Sequence, residues 1–119
     1  MQFDLNKKNK KRSDEIMLNQ IITVGRLVEK PEVIELENGK KECNITVAVP
    51  RPFKNVNGEY DTDFIPCKLW EGIATNAAEY CNKGDIIGVK GRLQVNDNKL
   101  EVMVEKLTFL SSAKKNEDE

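Results

Sequence analysis

The eight residues DFIPCKLW, 63 to 70, combine two aromatic rings with a cation. Read with the two-residue period of a β-strand, Ile65, Cys67 and Leu69 share one side. Phe64, Pro66, Lys68 and Trp70 share the other. Flat rings can stack on flat apolar partners, and a cation between them can neutralise a phosphate. The chain offers more of both kinds. Phe53 stands between Arg51 and Lys54, Arg26 follows Gly25, and Lys90 and Arg92 alternate with Val89 and Leu93. The outward set is therefore Arg26, Arg51, Phe53, Lys54, Phe64, Lys68, Trp70, Lys90 and Arg92.

Such a mixture suits single-stranded nucleic acid. Unpaired bases stack on aromatic rings for roughly 1–3 kcal/mol each, whatever the base. Phosphates alternate with bases, and neutralising them releases counterions, so binding weakens with salt. Duplex hides its base faces and gives stacking nothing to hold. Two other readings of the same residues stand beside this one. Exposed Trp and Arg are also enriched at protein interfaces, and Phe64 or Trp70 could plug the end of a barrel.

Other chemistries find little support. The 119 residues contain no histidine, which excludes Ser–His and Cys–His nucleophile systems. Cys43, Cys67 and Cys81 are widely spaced, with no CxxC pair, and read as free buried thiols instead of zinc ligands. Asp61 and Asp63 read as loop-solvating acids before a strand. Gly88 and Gly91 lie inside an apparent strand with no helix after them, so they form no phosphate loop.

The elements that must position these groups are mostly strands. They are expected at 17–31, with Gly25 marking a bend, at 43–49, 63–70, 85–95 and 99–110. A short extension at 32–36 is turned by Glu37-Asn38-Gly39. Residues 50–62 read as a loop stiffened by Pro50 and Pro52. The segment EGIATNAAEYCNKG reads as the single helix, with Ala77 and Cys81 on its apolar face and Gly84 as its left-handed cap. Ile87, Val89, Leu93 and Val95 are expected to share the core face of the fourth strand. A bent first strand and one helix between strands three and four predict an all-β, five-stranded OB-fold barrel.

The rest of the chain bounds this domain. Hydrophobic residues make up 39% and charged residues 33%, enough for one core. Net charge is −1, so a basic site must arise from sidedness. Residues 1–16 read as a flexible basic arm containing KKNKKR, 17–112 as the barrel, and 113–119 as a short disordered tail. No run approaches the ~20 apolar residues of a membrane helix, and no secretory signal opens the chain. The expected location is the cytoplasm.

Four segments carry a resemblance: LNQIITVGRLVEKPEV (18 to 33), NGKKECNITVAV (38 to 49), NGEYDTDFIPCKLWEGIATNAAEYCNKGDIIGVKGRLQ (57 to 94) and EVMVEKLTFL (101 to 110). The third is the most specific. In these the chain resembles the bacterial single-stranded DNA-binding protein family, SSB. The resemblance implies an OB barrel that binds single-stranded DNA without sequence preference in replication, recombination and repair. It implies no enzyme activity, no cofactor, and a homotetramer in preference to a dimer. Stacking is implied at Phe53, Phe64 and Trp70, and phosphate contact at Arg51, Lys68, Lys90 and Arg92.

Three departures qualify the resemblance. Asn96-Asp97-Asn98 replaces a long aromatic-bearing hairpin loop, which implies less wrapping surface. KKNEDE stands where family members continue to an acidic tip ending in Pro-Phe, which puts recruitment of other replication proteins in doubt. Sixteen residues precede Met17, where family sequences usually begin. Together these suggest a specialised paralogue of a phage, plasmid or other mobile element. The alternative reading is a primosomal PriB-like or protein-docking OB module.

Overall fold

A computed structural model describes residues 17–113; the predicted arm at 1–16 and all of the tail after Ala113 lie outside them. The elements run β1 (Ile21–Leu27), β2 (Ile34–Glu35), β3 (Lys41–Lys54), β4 (Tyr60–Trp70), α1 (Glu71–Tyr80), β5 (Ile86–Asn96) and β6 (Lys99–Ser111). Strands pair around a closed circuit: β1 with β5, β5 with β6, β6 with β4, β4 with β3, and β3 back to β1. Only the β4–β6 seam is parallel. The two-residue β2 hangs on the outer edge of β3. This is the five-stranded barrel with one helix that the strand order predicts.

Closure depends on β1 serving two neighbours. Ile21 to Arg26 pair with Gly91 to Ile86, and then Arg26 and Leu27 pair with Ala48 and Val47. Arg26 pairs with both neighbours, and Gly25 directly before it lies against β3. A Cβ there would sit 2.5 Å from both the Ala48 carbonyl oxygen and Val47 Cγ1. Only the smallest residue allows this approach, so the bend read from the sequence is a close packing of β1 on β3.

The core follows the alternation of the strands. Cys43, Ile45 and Val47 of β3, Cys67 and Leu69 of β4, and Ile87 and Val89 of β5 point inward and are buried. Each aliphatic side chain so buried stabilises the fold by ~1.5–3 kcal/mol. Ala74, Ala77 and Cys81 bring α1 onto this cluster. The three cysteines are free thiols within it, and burial pushes the Cys67 thiol up to about 12.

Several local expectations are corrected. The segment 50–62 is not a loop: β3 runs on to Lys54 and β4 starts at Tyr60. Asn55 makes this possible, because its Oδ1 accepts the Asn57 and Glu59 N–H groups and closes a tight turn. A register shift between Pro50 and Lys54 absorbs the prolines, which cannot donate to the ladder. Gly84 has a positive φ but lies in the turn after the helix, which ends at Tyr80. The helix end is capped instead by Lys30, whose Nζ donates to the carbonyls of Ala78 and Cys81 at 2.8 Å each. Leu93 and Val95 are not core residues; they are 39% and 63% exposed. A register shift at Lys90/Gly91 and a long β5–β6 hairpin carry them past the barrel. That hairpin turns on Asp97 and Asn98, both in the left-handed region that Asp and Asn tolerate.

Candidate nucleic-acid interface

Strand β4 sets out the central part of the site. Its even positions, from Tyr60 through Phe64, Pro66 and Lys68 to Trp70, alternate with the inward Ile65, Cys67 and Leu69. Phe64 is 63% exposed and Trp70 half-buried. Six residue steps separate the two rings, roughly 20 Å along the strand. Lys68 lies between them and leans on the nearer ring, its Nζ 5.8 Å from the Trp70 ring centre. The chain turns out of β4 directly after Trp70. Glu71 takes a φ of 49°, and its carboxylate accepts the Lys41 N–H at 3.3 Å. That left-handed residue starts α1 and fixes where the indole leaves the sheet.

Cross-strand register brings two cations to this line. Arg26, Ala48 and Phe64 are direct partners across β1, β3 and β4, which sets Arg26 two strands from the Phe64 ring. Lys68, Met103 and Arg92 are direct partners across β4, β6 and β5, which sets Arg92 two strands from Lys68. Two strands are roughly 10 Å, within the reach of long basic side chains. The Arg26 guanidinium also donates to the Gly84 carbonyl at 2.9 Å, so it is directed toward the start of β5.

The remaining predicted residues are placed differently. Phe53 is 62% exposed and lies within the register shift of the β3–β4 hairpin. Lys54 pairs directly with Tyr60, and its ammonium sits 5.9 Å from the Tyr60 ring centre. Arg51 grips Asp63, its Nε and NH2 donating to the carboxylate at 2.9–3.2 Å. Asp63 alternates with Phe64, so Arg51 is drawn to the hairpin face opposite that ring. Lys90 stands apart: its row across the sheet is Ile22, Lys90 and Lys106, with no residue of β3 or β4.

Tyr60 is the aromatic that the sequence reading passed over. It is 58% exposed and falls on the same alternation as Phe64 and Trp70. The signal was present in the two-residue period, but reading residues 50–62 as a loop cut the strand short.

Two clefts flank the line of rings. One of about 540 Å³ lies between β3–β4 and the β5–β6 hairpin, and Lys68, Lys99, Glu29, Asp97 and Glu101 give it both signs of charge. The other, about 400 Å³, opens where β1 diverges from β3, between Arg26, Val24, Ala48, Pro50 and Thr62. Among the described residues the one buried carboxylate, Asp85, serves the fold: it accepts the N–H groups of Asn82 and Ala113. No group of His, Cys, Asp or Glu able to hold a metal ion exists among the described residues.

Residues 18–110 match the model of the single-strand binding protein family. A single-stranded DNA-binding protein of Halalkalibacterium halodurans is 44% identical over 103 residues. That match takes in 79% of this chain and 61% of the relative. Single-stranded DNA-binding protein 1 of Clostridium acetobutylicum is 38% identical over 107 residues, covering 82% of this chain and 97% of the relative. Among solved structures, wild-type single-stranded DNA-binding protein from Thermus aquaticus superposes with a TM-score of 0.66 at 26% identity. It covers 81% of this chain, which spans 42% of that protein.

Proposed function

The chain belongs to the single-strand binding protein family, and on that premise we propose that it binds single-stranded DNA without sequence preference. Bases stack on Phe64, Trp70, Tyr60 and Phe53, and phosphates meet Arg26, Lys54, Lys68 and Arg92, with Arg51 and Lys90 at the margins. The observation that carries this reading is the line Tyr60, Phe64, Lys68 and Trp70 on the outward face of β4, its first two rings exposed and Trp70 half-buried, with cations two strands away on either side. No bond is made or broken in this function. The rings supply affinity for any base, and the cations supply a salt-dependent hold on the backbone.

The proposed setting is DNA replication, recombination and repair at the cytoplasmic nucleoid. Self-association into a homotetramer is part of the proposal. Family membership supports it, as do Ile22 and Val24, apolar residues exposed side by side on β1.

Trp70 is the only tryptophan, which makes the test direct. Oligo-dT is expected to quench its fluorescence, duplex of equal length is not, and light scattering run alongside gives the assembly size. An indole signal indifferent to oligo-dT would end the stacking reading.

A further inference from the structure

Half of the six cations in the candidate interface are already engaged by carboxylates. Arg51 NH2 lies 2.9 Å from Asp63 Oδ1, and Arg51 NH1 lies 3.9 Å from Asp61 Oδ2. Lys68 Nζ lies 3.5 Å from Glu42 Oε1, with both side chains largely covered. Arg92 NH1 lies 3.3 Å from Glu105 Oε2. Among the described residues, Arg26, Lys54 and Lys90 have no such partner within ion-pair distance.

Placement makes the pattern informative. Asp63 directly precedes Phe64 in β4. Glu42 is the cross-strand partner of Trp70. Glu105 is the extra residue in the β6 register shift, beside the row that joins Arg92 to Lys68. Glu42 and Glu105 thus stand next to a ring or to the cation row that serves one, while Asp63, on the face of β4 opposite Phe64, holds the cation at the margin of the site. A carboxylate presents to a guanidinium or ammonium what a phosphate presents: two anionic oxygens in hydrogen-bonding geometry.

Resting on the single-strand reading above, we propose that Asp63, Glu42 and Glu105 are built-in competitors for phosphate. In the DNA-free protein each occupies the cation that a backbone phosphate takes in the complex. Binding at these three points is then an exchange of one anion for another. The carboxylate set free gathers salt cations, so the net ion release on binding is smaller than six neutralised phosphates would give. The interface stays close to neutral until a strand arrives, and the hold on DNA is moderated and readily reversed.

The test compares oligo-dT titrations of the full chain at several salt concentrations, using Trp70 fluorescence. Wild type is measured beside Asp63→Asn, Asp61→Asn/Asp63→Asn and Glu105→Gln, each checked by thermal melting. Asp63→Asn and Glu105→Gln lie on different strands, so one foldable variant suffices. Each is expected to bind about 1.5- to 5-fold tighter, the scale of an exposed ion pair. Each should also steepen the slope of log K against log salt by up to ~0.7. In an Arg51→Ala background, Asp63→Asn is expected to change nothing, because the competitor has lost its cation.

Equal or weaker binding by the releasing variants that fold overturns the proposal. So does an equal gain from Glu79→Gln, which makes the same charge change on α1 but engages none of these cations. Failure of wild type and all variants alike to quench would instead sink the single-strand reading beneath it.

Discussion

Phe64 allows binding and folding to be separated with one substitution. Its side chain is 63% exposed, so Phe64→Ala removes little buried surface. A fully buried Phe stabilises by ~1.5–3 kcal/mol, and the covered third of this one by roughly 0.5–1 kcal/mol. For a domain of this size that lowers the melting temperature by roughly 2–8 °C. Loss of a stacking platform costs far more in binding, about 1–3 kcal/mol per base, or roughly 5- to 150-fold in Kd. The reporter survives the change, because Trp70 lies roughly 20 Å further along β4 and keeps Lys68 against its ring. The assay is the oligo-dT titration with a melt of the same samples. An unchanged Kd refutes the argument that the exposed face of β4 is the base platform. A Kd loss accompanied by collapse of the fold refutes the inference that Phe64 is free of the core.

Further outcomes follow from other parts of the structure. Tyr60→Ala is expected to weaken oligo-dT binding by about 1 kcal/mol, the low end for a stacked base; wild-type affinity would remove the hairpin tip from the interface. Gly25→Ala drives a Cβ into Ala48 and Val47, and denaturant unfolding should show a loss of ~1–3 kcal/mol or more. The three thiols, buried and with pKa values raised by that burial, are expected to react with an aromatic disulfide only as fast as the barrel opens; prompt reaction in native buffer contradicts the packing. The hydrogen bond and charge of Arg51 hold the Asp63 carboxyl below its ordinary value. Its stabilising contribution is therefore present above that ordinary value and fades as pH falls through the lowered one, and Asp63→Asn should flatten that part of an acid melting series.

Much of this architecture was readable from residue order, because the barrel strands each have one buried face. Cys43-Ile45-Val47 and Ile65-Cys67-Leu69 betray their strands by alternation alone, and Gly25 betrays the bend because nothing larger fits against β3. What escaped was long-range or conditional. Pro50 and Pro52 argue for a loop, yet a register shift and the Asn55 turn let the hairpin continue beyond them. Leu93 and Val95 have the composition of core residues, but a shift at Gly91 carries them off the barrel. The site was half legible for the same reason. Rings and cations can be assigned to a face by counting in twos. That Arg51 spends itself on Asp63, or that Lys90 lies in a row without β3 or β4, depends on which strands become neighbours.

The double partnership of β1 also orders events in time. Hairpins β3–β4 and β5–β6 join segments adjacent in the chain, and their turns need nothing beyond their own residues. The first strand must find Gly91 to Ile86 across most of the domain before it reaches Val47 and Ala48. Such distant pairing makes refolding slow, on the millisecond to second scale. Pulsed hydrogen exchange is expected to protect amides of β3–β4 before those of β1, and simultaneous protection would contradict this order. The surface that carries the rings is then laid down early, and the last seam to knit is the one at Gly25, where β1, a strand with no ring of its own, closes on β3.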